Sequence, residues 1–177
     1  KGHLSMEVRP ESASEVVNPS FIGHRQQHLK GSASTSILFS PAAENEKGGL
    51  LVFMNENHYY LLCKSIENNQ PVVQLYKSSA TTTDLELIAS ANLKESKGPL
   101  QLKIEANGDS YAFYYASKKD QWMLLKDAMP AEFLRADVPR DFTGCIYALY
   151  ATSLGKESDN KAFFDWFTYS GNDDMYK

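Results

Sequence analysis

The segment PLQLKIEA (Pro99–Ala106) puts Leu100, Leu102 and Ile104 on one side of an extended chain and Gln101, Lys103 and Glu105 on the other. This is the period-two pattern of a half-buried strand. Asn107-Gly108 follows, a pair at ease in the positive-φ conformations of a two-residue turn, and SYAFYYAS then resumes the pattern. A β-hairpin is therefore expected here. Similar runs rich in β-branched and aromatic residues, bounded by polar turns, predict strands over 4–9, 20–29, 32–39, 49–54, 58–66, 71–77, 120–126, 143–151 and 162–169. In TTTDLELIASANL, Thr83 and Glu86 have capping-box spacing, but Leu85, Leu87, Ala89 and Ala91 alternate between neighbouring strands, so a strand is expected there too. The two prolines of DAMPAEFLRADVPRDF predict a long connection with one helical turn around Glu132 to Arg135.

About a dozen strands and no long helix predict an all-β fold built as a two-sheet antiparallel sandwich, since each sheet must bury one face. LLVF, HYYLL and CIYALY do not alternate. They fit either central strands with a second covered face or an outer surface furnished with aromatics for a ligand. At 177 residues, with no repeat, low-complexity tract or linker, the chain reads as one domain over 1–177.

Eighteen Lys and Arg stand against 22 Asp and Glu, for a net charge of -4, so a basic nucleic-acid interface is not expected. No apolar run approaches the length of a membrane span, and the first residues, KGHLSMEVRPES, lack the apolar stretch of a signal peptide. Opening on Lys1, the chain reads as a mature or excised fragment. Its location is thus unknown, with a periplasmic or secreted site favoured over a cytoplasmic one if a signal was removed upstream. Cys63 and Cys145 allow at most one disulfide, and their apolar surroundings read as buried free thiols.

Common nucleophile, zinc and phosphate-loop motifs are missing, so no catalytic residue is assigned. His24 and His28 have a helical metal spacing, but on a strand they would stand about 13 Å apart, and no metal ligand is assigned either. No cofactor is required; a structural calcium held by backbone carbonyls is compatible with the sequence but unsupported by it. A β-sandwich can itself hydrolyse polysaccharides if one strand aligns its acids, as in Glu-x-Asp-x-x-Glu, and no such run occurs. Most acids fall in turn-like segments. Asp165 is the exception, set among aromatics in KAFFDWFTY beside Trp166. Leaving a buried carboxylate unpaired costs several kcal/mol, so it is expected to cap a loop, anchor a calcium or loop, or face a ligand, with a structural role for Asp165 and Trp166 preferred.

Together, NPSFIGHRQQHL (18–29), ASTSILFSP, GGLLVFMNENHYYLL (48–62), DFTGCIYALYATS (141–153) and AFFDWFTY (162–169) resemble the C-terminal β-sandwich of glycoside hydrolase family 43, which includes β-xylosidases and α-L-arabinofuranosidases. The likeness runs in order over essentially the whole chain. It implies a concanavalin A-like jelly roll following a five-bladed β-propeller, and it implies that the catalytic carboxylates belong to that propeller. It also implies a loop that closes one side of the pocket with a phenylalanine at its tip, and Phe142 in RDFTG matches best, with Arg140 and Asp141 beside it. A phenyl ring suits that task because it excludes water and packs on the apolar face of a pentose. Where relatives read Arg-Arg-Gln, this chain has His24-Arg25-Gln26. Arg25 and Gln27, on one strand face, are candidates for the propeller interface or a sugar contact, and with His24 in place of the first arginine a contact made there would be lost or made titratable.

Three readings follow. The first is a non-catalytic accessory sandwich that packs on the propeller of the same polypeptide, with a pentose oligosaccharide at the interface. The second is an autonomous carbohydrate-binding module for xylan or arabinoxylan, which requires an exposed aromatic row drawn from Tyr59, Tyr60, Tyr111, Tyr114, Tyr115 and Trp122. The third, a complete small glycanase, lacks its acid pair.

Overall fold

A computed structural model describes residues 2–94, 97–135, 144–172 and 174. Its twelve strands are β1 (Leu4–Glu7), β2 (Ser20–Arg25), β3 (Lys30–Leu38), β4 (Lys47–Asn55), β5 (His58–Glu67), β6 (Gln70–Ser78), β7 (Leu85–Asn92), β8 (Leu100–Asn107), β9 (Ser110–Ala116), β10 (Met123–Pro130), β11 (Ile146–Thr152) and β12 (Lys161–Gly171), with a 3-10 turn at Ala131–Leu134. They form two six-stranded sheets with antiparallel neighbours. The first runs β1-β12-β3-β8-β9-β10 and the second β2-β11-β4-β5-β6-β7.

Alternation dictates the main core. Ile37, Leu102, Ile104, Phe113 and Phe164 of the first sheet meet Leu50, Val52, Tyr60, Leu62, Val73 and Leu75 of the second, all essentially solvent-free. Burying each such side chain contributes about 1.5–3 kcal/mol. At Gly49 the two strands approach so closely that a Cβ would collide with the Leu62 carbonyl of β5, so only glycine fits.

The expected hairpin forms with its turn displaced. Asn107 stays in the ladder opposite Lys30, Gly108 and Asp109 make the loop, and only Gly108 takes a positive φ, of 87°. The TTTDLELIASANL segment forms the strand β7 at the edge of the second sheet.

Two expectations are corrected. The strand read over 20–29 stops at Arg25, because Gln26 donates its side-chain amide to the His28 carbonyl at 3.0 Å and the Tyr169 hydroxyl accepts the N–H groups of Gln27 (2.9 Å) and His28 (3.1 Å). These bonds replace ladder partners and turn the chain into β3. His24 and His28 are consequently not strung along one strand, since both rings lie against Tyr169, at centroid separations of 4.7 and 5.7 Å. The connection read from Asp127 onward also begins as strand: β10 continues to Pro130, whose place on an edge strand needs no N–H donor, and the helical turn follows at Ala131–Leu134.

Candidate functional site

The non-alternating strands are explained by a second, smaller core outside the second sheet. Leu51, Tyr59, Leu61, Cys63, Ala148 and Tyr150 point away from the main core and are buried with Ala13. Residues 9–19, connecting β1 toward β2, lie over them. The Tyr150 hydroxyl accepts the Ala13 N–H at 2.9 Å, the Tyr59 and Ser14 hydroxyls share a 2.7 Å hydrogen bond, and Thr152 Oγ1 donates to the Glu11 carbonyl at 3.1 Å. Burial pushes the Cys63 thiol up to about 11, as expected for an inert side chain in a dry site. Cys63 and the half-buried Cys145 are both free.

This cover stops short of one end of the sandwich. There Arg25 and Phe53 flank Ile146 in register, so the three share the outer face, and Phe21 meets Phe53 edge-on at 5.3 Å. Phe21, Phe53 and Ile146 remain half-exposed and Arg25 exposed. Val17, with Asn18, Pro19 and Glu56, shares a shallow depression with Phe21 and Phe53. Nearby, Phe133 packs on His58 and Tyr60 at 5.2 and 5.3 Å, with the Lys77 ammonium 4.4 Å from its ring. Arg135 and Gly144, the described neighbours of segment 136–143, flank this same end. Arg140, Asp141 and Phe142 lie outside the described residues.

The remaining strand candidates separate. His24 faces inward at the sandwich edge, against Tyr169 and Phe167, whereas Arg25 points to the opposite side. Gln27 is exposed beyond the end of β2, so strand alternation does not place it beside Arg25. Of the six aromatics named for a binding row, Tyr59, Tyr60, Tyr111 and Tyr115 are buried, which leaves Tyr114 and Trp122 half-exposed. These two flank Lys103, whose ammonium lies 4.4 Å from the Tyr114 ring and 4.9 Å from that of Trp122.

Asp165 sits at a β-bulge. Phe164 pairs with Ile37 and Trp166 with Ser36, so Asp165 is the extra residue, and it is exposed. It lines a surface cleft together with Trp166, Ser36 and Gln101. Among the described residues, no group of three or more His, Cys, Asp or Glu side chains could hold a metal ion.

Phe21, Phe53 and Ile146 were not singled out in the sequence. For Phe53 and Ile146 a signal was present, in the non-alternating LLVF and CIYALY runs, but it does not distinguish a covered face from an open one, and Phe21 carried none.

Comparison with known proteins bears on this geometry. The family described as "Beta xylosidase C-terminal Concanavalin A-like domain" matches residues 1–170. A xylosidase/arabinosidase of Butyrivibrio fibrisolvens is 32% identical over 173 residues, covering 94% of this chain and 31% of that protein. The non-reducing end α-L-arabinofuranosidase BoGH43B of Bacteroides ovatus is 30% identical over 86% of this chain and 28% of its own. The solved Bacteroides ovatus structure described as "Xyloglucan PUL GH43B" superposes with a TM-score of 0.85 at 28% identity, over 95% of this chain and 32% of that one. The chain thus spans about a third of the length of the relatives it matches.

Proposed function

Because this chain belongs to the family of β-xylosidase C-terminal concanavalin A-like domains, we propose that it is the non-catalytic accessory sandwich of a glycoside hydrolase family 43 enzyme, packing on the catalytic propeller and helping to close its pocket. One observation carries this reading. The half-exposed Phe21, Phe53 and Ile146, with exposed Arg25, are grouped at the end of the sandwich flanked by Arg135 and Gly144. An apolar patch of this kind, rimmed by charge, suits a domain interface. It would present the 136–143 segment, and with it Phe142, Arg140 and Asp141, to the neighbouring domain.

In this role the sandwich supplies shape and exclusion of water, and the bond-breaking carboxylates come from the propeller. Phe142 would pack on the apolar face of a terminal pentose, while Arg25 would meet an acidic or carbonyl group across the interface. The parent would act on xylosides or arabinosides, the substrates named for its relatives. The test is steady-state kinetics of the full-length parent enzyme. Phe142→Ala should raise KM and lower kcat/KM about tenfold, a loss of binding made in both ground and transition states. Unchanged kinetics would remove Phe142 from the pocket.

A further inference from the structure

The bulge in β12 has a local consequence. Extra residues in a strand re-aim side chains, and here the carboxylate of Asp165 and the indole of Trp166 line the same cleft, of about 590 Å³, on the outer face of the first sheet. That volume lies within the roughly 300–1,000 Å³ of small-ligand sites. Ser36 of β3 and Gln101 of β8 share its floor. The Gln101 oxygen is spent on the Asp120 N–H, at 3.3 Å, which pins the 117–120 loop at the rim. Among the described residues, the Gln101 amide nitrogen, the Ser36 hydroxyl and the Asp165 carboxylate make no hydrogen bond, so donors and an acceptor remain available beside an aromatic face.

We propose that this cleft is a second glycan-holding site, in which Trp166 stacks on the apolar face of a neutral pyranose while Asp165, Gln101 and Ser36 exchange hydrogen bonds with its hydroxyls. The charges favour a neutral ligand. Lys118, Lys119, Asp120 and Asp165 all line it, two cations against two anions, so the formal charges balance. A sugar offers what this lining matches, an apolar face of C–H groups and a rim of hydroxyls that both donate and accept. Placement supports independence from the pocket. The cleft lies at the end of the first sheet where β3 and β9 finish and β8 begins, whereas Arg135 and Gly144 lie where β3 and β9 begin. A propeller docked at the second end would leave the cleft open to the rest of a polysaccharide.

The experiment uses the 177-residue chain carrying Trp122→Phe, so that Trp166 is the sole indole, titrated with xylohexaose into the millimolar range. We expect an emission shift of Trp166 and amide chemical-shift changes clustered at Ser36, Gln101 and residues 117–120. Adding Asp165→Ala, an exposed position that should leave the fold intact, should weaken binding about tenfold through loss of a charge-assisted hydrogen bond. Hexagalacturonate, an anionic counterpart, should bind more weakly than xylohexaose. Absence of any shift with xylohexaose, equal affinity of the Asp165→Ala chain, or preference for the anionic sugar would each overturn the proposal. None of those results would bear on the Phe142 kinetics, so this site and the accessory role fail separately.

Discussion

On the outer face of the second sheet, Leu51, Tyr59, Leu61, Cys63 and Tyr150 lie buried with Ala13 beneath residues 9–19. On the outer face of the first, the corresponding rows carry Ser34, Ser36, Gln101, Lys103, Glu105 and Thr168, and they face solvent or the cleft. Both sheets already bury their inner faces against each other, so the sandwich does not require a second apolar surface on either side. On the second sheet the chain's own segment covers most of one, leaving Phe21, Phe53 and Ile146 half-exposed at one end. Non-alternating apolar strands in this protein therefore report a third layer of packing. The proposed glycan cleft lies on the plainer face, where a bulge interrupts ordinary alternation.

The sharpest break of this comparison is Leu61→Ala against Ser34→Ala. Leu61 is fully buried under the 9–19 segment. Truncating a Leu in a packed core costs about 2–5 kcal/mol, while a half-exposed surface serine should stay within about 0.5 kcal/mol. Urea unfolding of both variants checks this. Similar midpoints would mean that the covered face is a loose overlay and not a second core.

A finer cut removes one atom. Tyr150→Phe keeps the ring in place but leaves the Ala13 N–H buried without its acceptor, at a cost of about 2 kcal/mol. Hydrogen exchange should then quicken at Ala13 and Ser14 more than in β8 or β9. If protection falls evenly across both sheets, the segment is not pinned by that hydroxyl and its adhesion must be assigned to apolar contact alone.

Most of this architecture could be read from period-two patterning. Leu100, Leu102 and Ile104 went inward as their spacing requires, and the strand reading of TTTDLELIASANL prevailed because alternation with its sheet neighbour β6 outweighs a capping pattern. What could not be read depends on contacts remote in sequence. The turn at Gln26 is held by Tyr169, 142 positions beyond Gln27, so the His24–His28 geometry could not be inferred from spacing. The cover over LLVF and CIYALY comes from the PESASE run (10–15) near the N-terminus, whose seryl and backbone groups give no apolar signal of their own. Asp165 was conspicuous as an acid among aromatics, yet its meaning rested on a bulge defined only by its pairing with β3. The resemblance supplied the family and the jelly roll, and the residues it nominated for the pocket, Arg140, Asp141 and Phe142, await the kinetic test.

Electrostatics offer the smallest and most selective contrast between the two sides. Glu46, just before β4 and buried, accepts hydrogen bonds from the Ala42 N–H (2.7 Å), the Ser158 hydroxyl (2.6 Å) and the Asn160 amide (2.8 Å), tying two loops at the end of the sandwich. Burial by itself would raise its pKa, but the Ser158, Ala42 and Asn160 donors outweigh that and hold it below its usual value. A carboxyl whose folded pKa is depressed adds stability above its unfolded pKa and loses it as pH falls through the folded value. On the first sheet, by contrast, the Lys103–Glu105 pair at 3.6 Å is partly solvated and should contribute little, screened further by salt. We therefore expect Glu46→Gln to cost about 1.5 kcal/mol at neutral pH and to flatten the fall in stability as the pH drops below the ordinary carboxylate value of 4.5. Lys103→Met should leave that pH profile alone and remove only a slight salt dependence. A Glu46→Gln chain with an undiminished acid transition would show that the loop tie does not depend on the charge of this carboxylate, and the contrast between the two sides would then rest on packing alone.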